Sequence, residues 1–192
     1  GKTLEESEIE EVILPILAGL EQVHAANFLH RDIKPANIYI RMDGRPVLLD
    51  FGAARQTLIA DAPKLNPMYT PGFAAPEQYG DRDALGPWTD IYSIGASMFA
   101  CLSGMAPQAA DQRLEKDRMQ PVVRTFKGKY AKELLEIIDW CLELDHLKRP
   151  QSVFSLQKAI VDNRAPDPQK PGVLDGFRRI IDDITRPATR EE

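Results

Sequence analysis

Apolar residues recur with a helical period at the start of the chain. Ile9, Val12, Ile13, Ile16, Leu17, Leu20 and Val23 fall on one face of a helix predicted over residues 8–26. Pro15 lies inside it and is expected to kink the helix, or to make Ile16 an early position of a shorter one. The period then drops to two. Residues 37–41 and 45–49 read as two short strands joined by a turn at Asp43-Gly44. Between residues 53 and 89 the periodicity fades, while Pro63, Pro67, Pro71, Pro76 and Pro87 punctuate the chain. That pattern predicts a long ordered loop, a length that compact domains keep for function.

Residues 90–102 are apolar on all sides and predict a buried helix that ends at Gly104. The stretch 107–130 is mixed, with one helix expected over 111–119. Two amphipathic helices follow, over 131–144 and 152–163, the second with Ser152 as N-cap or first-turn residue just after Pro150. Residues 164–172 carry Pro166, Pro168 and Pro171 and read as a Pro-rich linker. The extension 173–192 is expected to hold a short helix over 173–185, with Leu174, Phe177, Ile180, Ile181 and Ile184 on one side. The fold class is therefore mainly α with a small β-hairpin, and no internal repeat is present.

Composition narrows this only slightly. The 192 residues include 24 Lys+Arg against 29 Asp+Glu, a formal charge of −5 that recommends no nucleic-acid partner. With 43% hydrophobic and 28% charged residues, the chain is an ordinary globular sequence long enough for one core. No apolar run approaches the ~18 residues of a membrane span, and the first residues lack the basic and apolar regions of a signal peptide. Cys101 and Cys141 stand isolated in apolar runs and read as small core residues. A reducing, cytoplasmic setting is the expectation.

Three short motifs carry the chemistry. His30-Arg31-Asp32-Ile33-Lys34-Pro35-Ala36-Asn37 comes first; Asp50-Phe51-Gly52 begins thirteen residues after Asn37; Ala75-Pro76-Glu77 closes the proline-punctuated loop. In this order and at these spacings they are the catalytic-loop, metal-loop and activation-segment signatures of protein kinases. The chain resembles the eukaryotic-like (bacterial Hanks-type) serine/threonine protein kinases from its first helix to about Asn163. Gln78 after Ala-Pro-Glu is similar to the bacterial branch. Residues 1–163 thus resemble the large C-terminal lobe of an α+β kinase fold.

The resemblance implies roles. Asp32 would orient the substrate hydroxyl and take its proton; Lys34 would steady charge on the transferred phosphoryl. Asn37 and Asp50 would give oxygen ligands to Mg²⁺. Ile38, Tyr39 and Ile40 would lie under the adenine of ATP. His30 and Phe51 would join an apolar column between the lobes, and Gly52 completes that motif. Arg31 would offer a positive pocket to a phosphate on the loop, with Thr57 the leading acceptor. Thr70 would bond toward Asp32 and Lys34, as in serine/threonine-specific members. Glu77 and Arg149 would form a buried ion pair, and Asp90 would hold the catalytic-loop backbone or serve as a plain N-cap.

One part of the family pattern is not found. Only 29 residues precede His30, and they contain no Gly-x-Gly-x-x-Gly. The expectation is a chain without the N-terminal lobe that completes the full-length kinase. Such a chain would bind ATP and Mg²⁺ weakly or not at all and be inactive alone. Its lobe-facing surface would be exposed, with His30 and Phe51 in it, and open to self-association. An active kinase acting on protein substrates competes here with a lobe-only or pseudokinase scaffold that docks partners. A small-molecule phosphotransferase is disfavoured by the Thr70 to Glu77 segment, which serves peptide substrates in the family.

Overall fold

The computed structural model describes residues 3–51, 55–56, 69–80 and 82–162. Helix α1 spans Glu6–Ala25 and starts where the Glu5 N–H donates to the Glu8 carboxylate at 2.8 Å. Pro15 neither ends nor shortens it. A mid-helix proline costs about 3 kcal/mol, whereas burying Ile9, Ile13, Ile16, Leu17 and Leu20 returns about 1.5–3 kcal/mol for each side chain. The apolar face wins, and Pro15 itself stays exposed.

After α1 the chain forms β1 (Phe28–Leu29), a single 3-10 turn at Pro35–Asn37, β2 (Ile38–Ile40) and β3 (Pro46–Leu48). Strands β2 and β3 pair antiparallel, Tyr39 opposite Val47, around the expected turn, where Gly44 takes φ +80°. A second antiparallel pair was not anticipated: β4 (Arg55–Gln56) lies against β1. Two-residue strands have no readable period, so only the long-range pairing reveals them.

Helix α2 (Pro87–Ser103) is the axis of the molecule. Pro87 occupies the first helical position, where its missing N–H costs nothing, and the Thr89 hydroxyl accepts from the Gly86 N–H at 3.2 Å. The helix ends as predicted at Gly104, in the left-handed region at φ +74°. Every residue from Thr89 to Met98 is buried, with α1, α5 (Lys132–Cys141) and α6 (Val153–Asp162) packed around it. These two later helices lie inside the predicted spans 131–144 and 152–163 but are shorter.

The stretch 107–130 departs further from expectation. Helix α3 covers only Ala110–Glu115: the backbone becomes extended at Lys116, and the Asp117 carboxylate accepts from the Met119 N–H at 2.9 Å, holding the turn that follows. Helix α4 (Val122–Thr125) is too short to nucleate alone. Asp139 on α5 makes it, accepting from the Val122 and Val123 N–H groups at 2.7 and 3.0 Å. The fold is mainly helical with a small β-hairpin, as the pattern implied. The linker 164–172 and the extension 173–192 lie outside the described residues, as do Gly52 and Thr57.

Candidate active site

The site is built on the segment between β1 and β2, whose backbone is held from below by α2. Arg31 sits at φ +70° and Asp50 at φ +61°, in the left-handed region that non-glycine residues enter at a cost of about 1–2 kcal/mol. Asp90, wholly buried in the first turn of α2, supplies compensation for the first of these. Its carboxylate accepts from the His30 N–H at 2.9 Å and the Arg31 N–H at 2.7 Å, and lies 2.8 Å from His24 Nε2. The N-cap of α2 is Gly86 and Asp90 lies within the first turn, so Asp90 is not the N-cap: its carboxylate belongs to the loop above.

Four side chains converge above this support. Lys34 Nζ donates to Asp32 Oδ2 and to Thr70 Oγ1, both at 2.7 Å. The Thr70 hydroxyl donates to Asp32 Oδ1 at 2.7 Å. Asn37 Nδ2 donates to the Asp32 carbonyl at 2.8 Å and to Asp32 Oδ2 at 3.2 Å. A carboxylate offers about four lone-pair positions; Thr70, Lys34 and Asn37 occupy three, which leaves Asp32 one for a further hydroxyl. The Asn37 amide nitrogen is turned inward, so its oxygen is the atom presented to a cation. Asn37 and the exposed Asp50 carry hard oxygen donors of the kind that could hold Mg²⁺.

Around this centre the expected residues distribute unevenly. His30 is fully buried, against the expectation of an exposed column: its ring meets Phe51 edge-on at 4.7 Å, and its Nε2 lies 3.0 Å from the Leu49 carbonyl oxygen. Phe51 is exposed as expected, together with Tyr39, Ile40, Met42 and Leu49. Ile38 packs against the core instead. Alternation along a strand places it on the opposite face from Tyr39.

The Ala75-Pro76-Glu77 turn is anchored beneath. Arg149 is 2% exposed, and its guanidinium grips both Glu77 oxygens, at 2.8 and 3.0 Å. Thr89 Oγ1 also donates to Glu77, and Ser93 Oγ donates to the Phe73 carbonyl at 2.8 Å. Beside the turn, the Tyr79 ring packs at a tilt against Tyr69, with centroids 4.5 Å apart. Burial first, then the Asp111 carboxylate, pushes its phenol up to about 12. Burial likewise raises the thiol of Cys141 well above its ordinary range, consistent with an inert core residue.

The sequence alone assigns no role to His24, Thr89 or Ser93, and marks Gln78 only as similar to the bacterial branch. His24 follows Leu20 by four residues on the buried stripe of α1, and a lone histidine there was the available signal. Thr89 and Ser93 carry no pattern of their own.

Comparison with known proteins agrees with this architecture. The family described as Protein kinase domain matches residues 1–160. The chain is 30% identical over 176 residues to "Serine/threonine-protein kinase C" of Synechocystis, covering 85% of this chain and 31% of that protein. It is 38% identical over 112 residues to "Serine/threonine-protein kinase PknA" of Nostoc, covering 55% and 20% of the two. Among solved structures, "PpkA-294 apo form" superposes with a TM-score of 0.70 at 34% identity, over 81% of this chain and 54% of that one. The chain therefore spans under a third of the length of these curated relatives.

Proposed function

Since the chain belongs to the protein kinase domain family, we propose that it supplies the catalytic-loop side of a serine/threonine phosphotransfer site, acting on protein substrates with ATP and Mg²⁺. The observation that carries this reading is the closed triangle of Asp32, Lys34 and Thr70, each side a 2.7 Å hydrogen bond. It fixes a carboxylate, a cation and a hydroxyl around one point, and phosphoryl transfer needs positioning and charge more than covalent chemistry.

Asp32 accepts the hydrogen of a substrate serine or threonine hydroxyl at its remaining lone-pair position. As that oxygen bonds to the γ-phosphorus and the bridge to the β-phosphate breaks, the proton passes to Asp32. Lys34 offsets the negative charge on the transferred group from its place between Asp32 and Thr70. Asn37 and Asp50 would hold Mg²⁺, which neutralises the phosphate oxygens when bound. Thr70 ties the peptide-facing segment to the base, and Glu77–Arg149 keeps that segment in place.

The exposed apolar side chains of Tyr39, Ile40, Met42, Leu49 and Phe51 support a second part of the proposal. They belong to a surface for a nucleotide-clamping N-terminal lobe, and residues 1–163 are the larger lobe that it completes. Without that cover the chain binds ATP weakly, turns over nothing, and tends to associate with itself through the apolar face. Two measurements test this. Isothermal titration of the monomeric chain with MgATP is expected to give no micromolar binding; such binding would overturn the two-lobe part. Joined behind the small lobe of a bacterial relative, the chain is expected to phosphorylate serine and threonine peptides; failure with every such lobe would refute the kinase reading.

A further inference from the structure

Gln78 makes two bonds that join the Ala75-Pro76-Glu77 turn to the catalytic loop. It is 5% exposed and lies in the 3-10 turn at Pro76–Tyr79. Its Oε1 accepts from the Ala75 N–H at 2.9 Å, which closes the turn of its own segment. Its Nε2 donates to the Arg31 carbonyl oxygen at 2.8 Å, across 47 positions of sequence. That carbonyl belongs to the peptide plane leading into Asp32. At the other end of the plane, the Asp32 N–H makes a long 3.3 Å contact with His30 Nδ1.

The plane needs holding. Arg31 is in the left-handed region at φ +70°, and a strained conformation persists only where its surroundings over-determine it. Asp90 fixes the Arg31 N–H, on the near side of that dihedral. Gln78 fixes the carbonyl on the far side. Rotation of the Arg31–Asp32 peptide would move the Asp32 Cα and swing its carboxylate away from Thr70 and Lys34.

We infer that Gln78 is a positioning residue for the base: it sets the Arg31–Asp32 peptide, and so couples the fold of the Ala75-Pro76-Glu77 turn to the aim of the Asp32 carboxylate. The catalytic part of this rests on the kinase reading; the positional part does not. A segment that leaves its docked position takes the amide donor with it and releases Asp32, so the base is aligned only when the peptide-facing segment is in place.

Two variants separate this role from simple turn capping. Gln78→Glu keeps an oxygen for the Ala75 N–H but replaces the donor that faces the Arg31 carbonyl. Gln78→Met removes both bonds at similar volume. In the chain itself, amide hydrogen exchange at Arg31 and Asp32 is expected to speed at least tenfold in both variants, with Ile94 and Ile138 unchanged. The Ala75 amide is expected to speed only in Gln78→Met. When the chain is joined to a nucleotide-binding lobe, both variants are expected to lose at least tenfold in kcat with the peptide KM within twofold.

If Gln78→Glu leaves Arg31 and Asp32 exchange as in the wild type, or leaves kcat intact in an active protein, Gln78 is a cap only and the inference is overturned. If no joined protein transfers phosphate, the kinase reading fails, and the exchange data still decide where Gln78 acts.

Discussion

The Glu77–Arg149 pair gives the sharpest energetic prediction. A guanidinium has five N–H donors, and Arg149 uses all of them. Nε–H goes to the Glu143 carbonyl at 2.7 Å, Nη1 to Glu77 and the Trp88 carbonyl, and Nη2 to Glu77 and the Leu144 carbonyl. The group also lies 4.9 Å from the centroid of the Tyr92 ring. Glu77→Gln keeps the shape but removes the negative charge, leaving a buried cation against three carbonyls and an amide whose NH₂ faces Nη2. Breaking one side of such a pair costs about 3–5 kcal/mol. Arg149→Met leaves the Glu77 carboxylate buried with the Thr89 hydroxyl, at a similar cost or more.

The double variant Glu77→Gln/Arg149→Met removes both charges, and replacing a whole buried pair by neutral groups is far milder than cutting half of it. Its cost is therefore expected to fall short of the sum of the two single costs by about 2 kcal/mol or more. Urea unfolding followed by tryptophan fluorescence reads this directly. With a slope of about 1–3 kcal/mol per molar urea, Glu77→Gln should lower the midpoint by roughly 1 M or more. A loss under about 1 kcal/mol for Glu77→Gln, or strict additivity in the double variant, would contradict the structural reading of this pair.

Two further outcomes follow from packing and from burial. A Cβ placed on Gly95 would come within 2.4 Å of the Cys141 Cβ, where α2 and α5 touch; Gly95→Ala is expected to cost at least about 1–3 kcal/mol by overpacking, and a thermal melt indistinguishable from wild type would refute that. The Tyr79 phenol, raised to about 12 against an unfolded value near 10, stays protonated longer in the folded state. Its contribution is intact below pH 10 and is lost as pH rises through 10 to about 12. Tyr79→Phe should therefore show a shallower fall in melting temperature over that range, and parallel curves for the two proteins would count against the assignment.

Much of the architecture could be read from period and punctuation. The buried helix α2 declared itself through an apolar-rich run ending at Gly104, and the β2–β3 hairpin through Asp43-Gly44. What escaped notice depends on distant partners. Helix α4 exists because Asp139 caps it, and β4 because β1 lies alongside. The site divides in the same way. Asp32, Lys34, Asn37 and Thr70, named through the family resemblance, are joined in one hydrogen-bonded cluster. His24 and Gln78 act through bonds that span 66 and 47 positions of sequence, and no local spacing encodes such a bond.

The central claim is that Asp32 is the base of a phosphotransfer site. It is tested most directly by the rate of γ-phosphate transfer from MgATP to a serine peptide, with the chain joined to a nucleotide-binding lobe and compared with its Asp32→Asn form. Asparagine preserves the size of the side chain and its reach to Thr70 but cannot accept a proton. The rate is expected to fall by about 10²–10⁴, with the peptide still bound. Equal rates from the wild type and the Asp32→Asn form would show that this carboxylate, and the triangle built around it, is not where the chemistry happens.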